Sequence, residues 1–157
     1  MTTAWVPLAT TTLSSSAASV TFGSIPSGYR DLIIQGQSSS GTNVNAFIKL
    51  NSDGTASNYF TVTMYAEGST AGSTYNNDGR IMSTGTDEFP FYIQIMDYSA
   101  SNKHTTVLSR SGAVDIVRAF AVRWANTNAV TTVDLFHTGG YSSPAGSTFS
   151  LYGSNRL

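Results

Sequence analysis

The period of the apolar residues constrains this chain more than anything else in it. They recur at every second position in run after run, the spacing of half-buried strands. Between Arg30 and Gln37, Leu32 and Ile34 share one face while Asp31 and Gln35 take the other. Val44, Ala46, Ile48 and Leu50 alternate with Asn45, Phe47 and Lys49, and Phe89, Phe91, Ile93 and Ile95 alternate with Tyr92, Gln94 and Met96. From Thr131 to Thr138, Val133 and Leu135 oppose Asp134; further on, Phe149 and Leu151 oppose Thr148, Ser150 and Tyr152. Turn-forming clusters separate the runs: Ile25-Pro26-Ser27-Gly28, Asn51-Ser52-Asp53-Gly54, Asn76-Asn77-Asp78-Gly79, Gly139-Gly140 and Ser143-Pro144-Ala145-Gly146. No segment combines helical spacing with caps. The pattern predicts an all-β fold, an antiparallel two-sheet sandwich, jelly-roll-like, of about eight to ten strands.

One run departs from simple alternation. Between Ala113 and Ala125, Val114, Ile116, Phe120, Val122 and Trp124 share a face, and Val117, Ala119 and Ala121 make the opposite face apolar too. This predicts a central strand covered on both sides, whose small-residue face lets another layer or another subunit approach closely. Gly68 to Gly79 is the longest polar stretch and reads as the most mobile loop. There is no internal repeat or linker, so residues 1–157 read as one sandwich domain. Residues 1–12 are expected to form an edge strand or an arm that contacts a neighbouring subunit.

Composition excludes several functions. Charged residues make up 11% of the 157, against about 25% in typical domains, and the net charge is -1. No basic stripe exists to gather phosphates or anionic lipid, so neither nucleic acid nor membrane is an expected partner. Cysteine is absent, which removes disulfides, thiolate metal sites and a thiol nucleophile. No apolar run approaches the roughly 20 residues of a membrane span. Met1-Thr2-Thr3-Ala4-Trp5 lacks the basic and apolar regions of a signal peptide.

The inventory for catalysis is thin. The only histidines are His104 and His137, the only glutamates Glu67 and Glu88, and no Gly-X-Ser-X-Gly elbow occurs. Asp87 and Glu88 are adjacent before a strand, so they point to opposite faces; Asp97, Asp115 and Asp134 read as solvated or paired with Arg118 or Arg123. Asn51-Ser52-Asp53-Gly54-Thr55 resembles the start of a calcium loop but lacks the closing glutamate, and reads as an Asp-Gly hairpin turn. Hence no catalytic, cofactor or metal site is expected and the protein reads as no enzyme. Aromatics are plentiful instead. Trp5, Tyr59, Tyr65, Tyr75, Tyr141 and Tyr152, with the Arg123-Trp124 pair, are the candidate interface, able to fill a protein contact or stack on sugar rings.

Several stretches resemble a module of small structural proteins of tailed bacteriophages. These are Thr12-Leu13-Ser14-Ser15-Ser16-Ala17-Ala18-Ser19-Val20-Thr21-Phe22, Ile25-Pro26-Ser27-Gly28-Tyr29-Arg30-Asp31-Leu32, Asp97-Tyr98 followed by Lys103, Trp124 leading into Val133-Asp134-Leu135, and the run from Gly146 through Phe149 and Tyr152 to Gly153. The resemblance covers most of the chain. It implies a decoration-like or fibre-like virion protein on the outer surface of the particle. A compact sandwich without a shaft points to capsid decoration or cement, with the major capsid protein or another virion protein as partner and a homotrimer as the expected assembly. The alternative it leaves open is a receptor-binding module of tail or spike that takes a host-surface glycan.

Overall fold

The computed structural model describes residues 5–42, 44–84 and 88–155. Twelve strands run through them: β1 Trp5–Thr12, β2 Ser19–Phe22, β3 Asp31–Ser38, β4 Val44–Leu50, β5 Tyr59–Glu67, β6 Thr70–Asn76, β7 Arg80–Thr84, β8 Phe89–Met96, β9 Thr105–Ala113, β10 Ile116–Trp124, β11 Val133–His137 and β12 Thr148–Ser154. A single 3-10 turn, Ala56–Asn58, precedes β5. The strands form two antiparallel sheets, an eight-stranded one in the order β1-β12-β3-β8-β9-β10-β5-β6 and a four-stranded one in the order β2-β11-β4-β7.

The order contains a jelly roll. β1-β12-β3-β8 faces β2-β11-β4-β7, and the chain changes sheet at every step through this set except from β4 to β7, which pair within the small sheet, the double Greek key of that architecture. The other four strands are insertions. β5-β6 leaves between β4 and β7, β9-β10 leaves between β8 and β11, and both extend the larger sheet beyond β8. The small sheet has no strand to cover the whole extension: its edge strand β7 lies over β9 and β10, and the β5-β6 hairpin overhangs.

Alternation places the core as expected. Leu32 and Ile34, Phe89, Phe91, Ile93 and Ile95, and Phe149 and Leu151 point inward from the large sheet onto Val20, Phe22, Ala46, Ile48, Leu50, Ile81, Val133 and Leu135 of the small one. Each such side chain contributes about 1.5–3 kcal/mol of burial. The tightest spot among the described glycines is Gly36, where a Cβ would run into the Thr148 carbonyl oxygen and approach the Phe91 ring. Tyr98 is fully buried and its hydroxyl donates to the Pro26 carbonyl. Of the two expectations for the N-terminal segment, the described part, from Trp5, is an edge strand paired with β12. Pro7 and a register shift after it disrupt this edge.

Among the described residues the strands number twelve, the eight of the jelly roll and four inserted ones. Three expectations need correcting. Gly68 to Gly79 is no long loop: most of it is β6, fully hydrogen-bonded to β5 yet exposed over nearly its whole length, so no face alternates. Asn51-Ser52-Asp53-Gly54 is no hairpin turn either. It arches from the small sheet to the large one, with Asn51 and Ser52 in the left-handed region, at φ 53° and 55°. The run from Ala113 to Ala125 splits, with Val114 exposed in the turn between β9 and β10. β10 is flanked by strands on both edges, but only its Phe120, Val122 and Trp124 side is covered.

Candidate interaction surface

The uncovered face of β10 belongs to a larger apolar surface. Antiparallel pairing places residues side by side across the outer face of the extended sheet. One row runs Gln94, Leu108, Ala121, Val62, Tyr75; the next runs Tyr92, Arg110, Ala119, Met64, Ser73; a third runs Met96, Thr106, Arg123, Phe60. Ala119 and Ala121 are short and their neighbours are long, so the centre sinks. The result is a trough of about 270 Å³, floored by the two alanines and walled by Val62 and Met64 on one side and by Leu108, Arg110 and Tyr92 on the other. Phe60 and Tyr75 stack at 5.8 Å along one rim.

β5 shows how unusual this face is. Its sequence alternates, but with reversed polarity: Thr61 and Thr63 are buried, whereas Phe60, Val62 and Met64 face solvent at 39%, 41% and 63% exposure. Eight of the ten large apolar side chains exposed among the described residues lie on this outer face, all but Val114 and Tyr141. Single exposed apolar residues are ordinary, but a contiguous set marks a contact surface.

The expected interface residues divide. Trp5, Tyr75, Arg123 and Tyr152 all lie on this outer face. Trp5 reaches across β12 and β3 to contact both Tyr152, at 6.0 Å, and Tyr92, at 6.2 Å. Tyr65 points to the opposite side of β5, and its ring lies 5.7 Å from the Arg118 guanidinium. Tyr141 is exposed in the loop before β12, away from the sheet face. Tyr59 and Trp124 are corrections: both are core residues, at 4% and 1% exposure. They end the two paired strands β5 and β10 on the inward side, and each directs its polar atom to the 51–53 arch. Met64, Val62 and Leu108, which sequence reasoning did not single out, supply the aliphatic part of the trough's walls.

Within that arch the Asp53 carboxylate is taken up by donors of the protein itself. It accepts hydrogen bonds from Thr55 N (2.9 Å), Asn58 Nδ2 (2.8 Å) and Trp124 Nε1 (2.8 Å). Burial works to raise its pKa, but these donors outweigh it and hold the group at about 2. Asp31, 3% exposed, is satisfied in the same way by Arg30, Gln94 and the Asp97 backbone. Desolvation is again overcome, and its pKa is lowered. Asp97, Asp115 and Asp134 do not converge. Asp97 pairs with Lys103 Nζ at 2.5 Å, the carbonyl of Asp115 in the β9-β10 turn accepts from Gly68 N in the β5-β6 turn, and Asp134 on β11 accepts from Thr21 of β2 and from Ser52 of the arch. Arg118 pairs with Glu67 instead. Asp87 lies outside the described residues.

One serine–histidine contact exists. His137 Nε2 lies 3.1 Å from Ser143 Oγ, which also accepts from Ser38 Oγ at 2.8 Å. Ser143 is 4% exposed, and the adjoining cavity of about 10 Å³ holds roughly one water. Burial lowers the His137 pKa and favours the neutral ring, and the Asn45 backbone opposes this more weakly. The group ties β11, β3 and the loop before β12 together.

No protein-family model and no curated protein matches this chain. Among solved structures it is similar to the alginate lyase Aly36B, at 12% identity and a TM-score of 0.38, over 94% of this chain and 79% of that one. It is similar also to a mutant of that enzyme in complex with an alginate tetrasaccharide, at 14% identity and a TM-score of 0.39, over 94% and 80%. Likeness this slight assigns neither a reaction nor a ligand to the residues described above.

Proposed function

We propose that this domain is a non-enzymatic structural component of a bacteriophage particle, a capsid decoration or cement protein that seats the outer face of its eight-stranded sheet on the assembled shell. The observation that carries the reading is the reversed polarity of β5, which presents Phe60, Val62 and Met64 to solvent beside the alanine-floored trough. Keeping such a face soluble but unpartnered forgoes burial worth about 25 cal/mol for each Å². A stable protein contact takes about 800 Å² from each partner, close to a tenth of the 7868 Å² surface of the described chain. The rows of outward side chains offer a site of that kind on a rigid sheet. The phage setting, the major capsid protein as partner and a trimeric assembly are supported by the resemblance of the Thr12–Leu32 and Gly146–Gly153 stretches to small virion proteins.

The test is co-sedimentation with purified mature capsids, wild type against Met64→Lys and Val62→Lys. Both positions are exposed, so the fold is expected to keep its stability within about 0.5 kcal/mol. Capsid affinity is expected to fall at least tenfold, because a lysine at a buried contact must be desolvated. Absence of the protein from purified particles, together with no affinity for capsids, overturns the reading. High copy number in the particle separates decoration from a tail or spike receptor-binding module, which is present in few copies.

A further inference from the structure

The overhang of the large sheet creates a second feature, on the side opposite the trough. Where β5 and β6 pass beyond the edge strand β7, a step opens into a cleft of about 290 Å³. Its floor comes from Thr63, Tyr65 and Glu67 of β5, Thr74 of β6 and Arg118 of β10, and its wall from Arg80 at the start of β7. The volume is at the lower end of small-molecule sites, which run from about 300 Å³ upward.

The hydrogen-bond account of this cleft does not close. Among the described residues, four buried side-chain polar atoms lack a partner: Thr63 Oγ1, Arg80 Nε, Arg118 Nε and His137 Nδ1. The first three all belong to residues lining this one cleft. Such orphans are rare in folded proteins and each is costly. The arginines share a further trait. A guanidinium binds a carboxylate best by its side-on fork, with Nε and an Nη donating in parallel. In both, half of that fork is used and half is idle. Arg118 Nη2 donates to Glu67 Oε2 at 3.2 Å while Nε is free, and Arg80 Nη2 donates to Asp78 Oδ2 at 3.1 Å while Nε is free. Glu67 is itself about half exposed, so it can swing out. Two of the eight cations of a charge-poor chain meet here, against one lining carboxylate.

We propose that this cleft is a binding site for a carboxylate carried on a small hydroxylated ligand, such as an acidic sugar. The ligand carboxylate takes the side-on fork of Arg118, displacing Glu67. Arg80 Nε and the Thr63 hydroxyl donate to neighbouring oxygens, and Tyr65 and Thr74 border the ring. The site stands apart from the docking face, since the two lie on opposite sides of β5 and have only Phe120 of β10 in common.

The probe is an NMR titration of the full chain with sodium glucuronate, sodium acetate and glucose at low ionic strength. Glucuronate is expected to saturate shifts at Thr63, Arg80 and Arg118, and glucose to leave them unmoved. Acetate binding as tightly as glucuronate supports the site with a free carboxylate as its source. Arg118→Gln should weaken glucuronate at least tenfold. Two variants separate recognition from folding. Glu67→Gln removes the competing internal carboxylate and should tighten binding several-fold. Thr63→Val keeps the shape, discards an unpartnered hydroxyl, and should weaken binding without lowering the melting temperature. No saturable response to any carboxylate, glucose binding as well as glucuronate, or unchanged affinity in Arg118→Gln with Glu67→Gln overturns the proposal. None of these results bears on capsid co-sedimentation.

Discussion

Asp53 makes a large stability effect depend on one partly exposed carboxylate. In Asp53→Ala three donors lose their acceptor, but they do not lose equally. Thr55 is exposed and Asn58 half-buried, so water replaces much of what they had. The Trp124 indole N–H cannot be rescued in this way, because the ring is 1% exposed. A buried donor left unsatisfied costs about 1–3 kcal/mol, and hydrogen bonds to a charged acceptor fall in the upper part of the usual scale. The substitution is therefore expected to cost about 3 kcal/mol. Asp53→Asn keeps one acceptor oxygen, which turns toward Trp124 and Asn58 and sets its amide against the solvent-exposed Thr55 N–H; about 1 kcal/mol is expected. In urea unfolding at pH 7, with a slope of about 2 kcal/mol per M, Asp53→Ala moves the midpoint down by about 1.5 M. A double-mutant cycle with Trp124→Phe cancels the ring-size change and isolates a coupling of about 1–2 kcal/mol. The acid limb adds a second reading. With a folded pKa of about 2 against an ordinary 3.9, the carboxylate stabilises fully above about pH 4, and that contribution is lost as pH falls through 2. Asp53→Asn lacks this decline. An Asp53→Ala protein within 0.5 kcal/mol of wild type, or a coupling indistinguishable from zero, refutes the argument.

Two further outcomes follow from the same structure. Burial disfavours the His137 cation in the fold, so below the ordinary pKa of about 6.5 the unfolded chain holds more protons. Stability should be full above that pH and fall as pH drops toward the lowered folded-state pKa, by at most about 1.4 kcal/mol per unit; urea midpoints between pH 7 and 5 in wild type and His137→Asn check it, the variant showing the shallower slope. Gly36→Ala places a Cβ against the Thr148 carbonyl, a backbone atom that cannot yield without parting β3 from β12, so a loss of about 3 kcal/mol or failure to accumulate as folded protein is expected by circular dichroism.

The jelly-roll strands were legible because each has one covered face. β3, β4, β8, β11 and β12 bury every second residue, and alternation reports burial directly. β6 was not legible, because with almost every residue exposed it has no alternation to read and is held by main-chain bonds to β5. The interface reading went astray at Tyr59 and Trp124 for a related reason. Each is an aromatic with a polar atom, a type common at contacts, and only the fold brings Asp53 of the arch and the Leu50 amide at the end of β4 to satisfy those atoms inside.

β5 exposes the deeper limit. Period two states which residues share a face, but not which face is inside; that is decided by what lies above the strand. Here it is the connection from β6 into β7, where the Asp78 carbonyl accepts from Thr61 and Arg80 lines one cleft with Thr63. The threonine side of β5 is buried, and the phenylalanine, valine and methionine are left to solvent. The same step leaves Thr63, Arg80 and Arg118 facing a cleft with donors unspent. Local sequence and global fold agree throughout the eight-stranded jelly-roll frame and disagree in the four inserted strands. Such disagreement costs stability, so it persists where something other than stability is served. Both candidate surfaces are built on those strands, one on each side of β5, with β8 and Arg80 of β7 completing them from the frame.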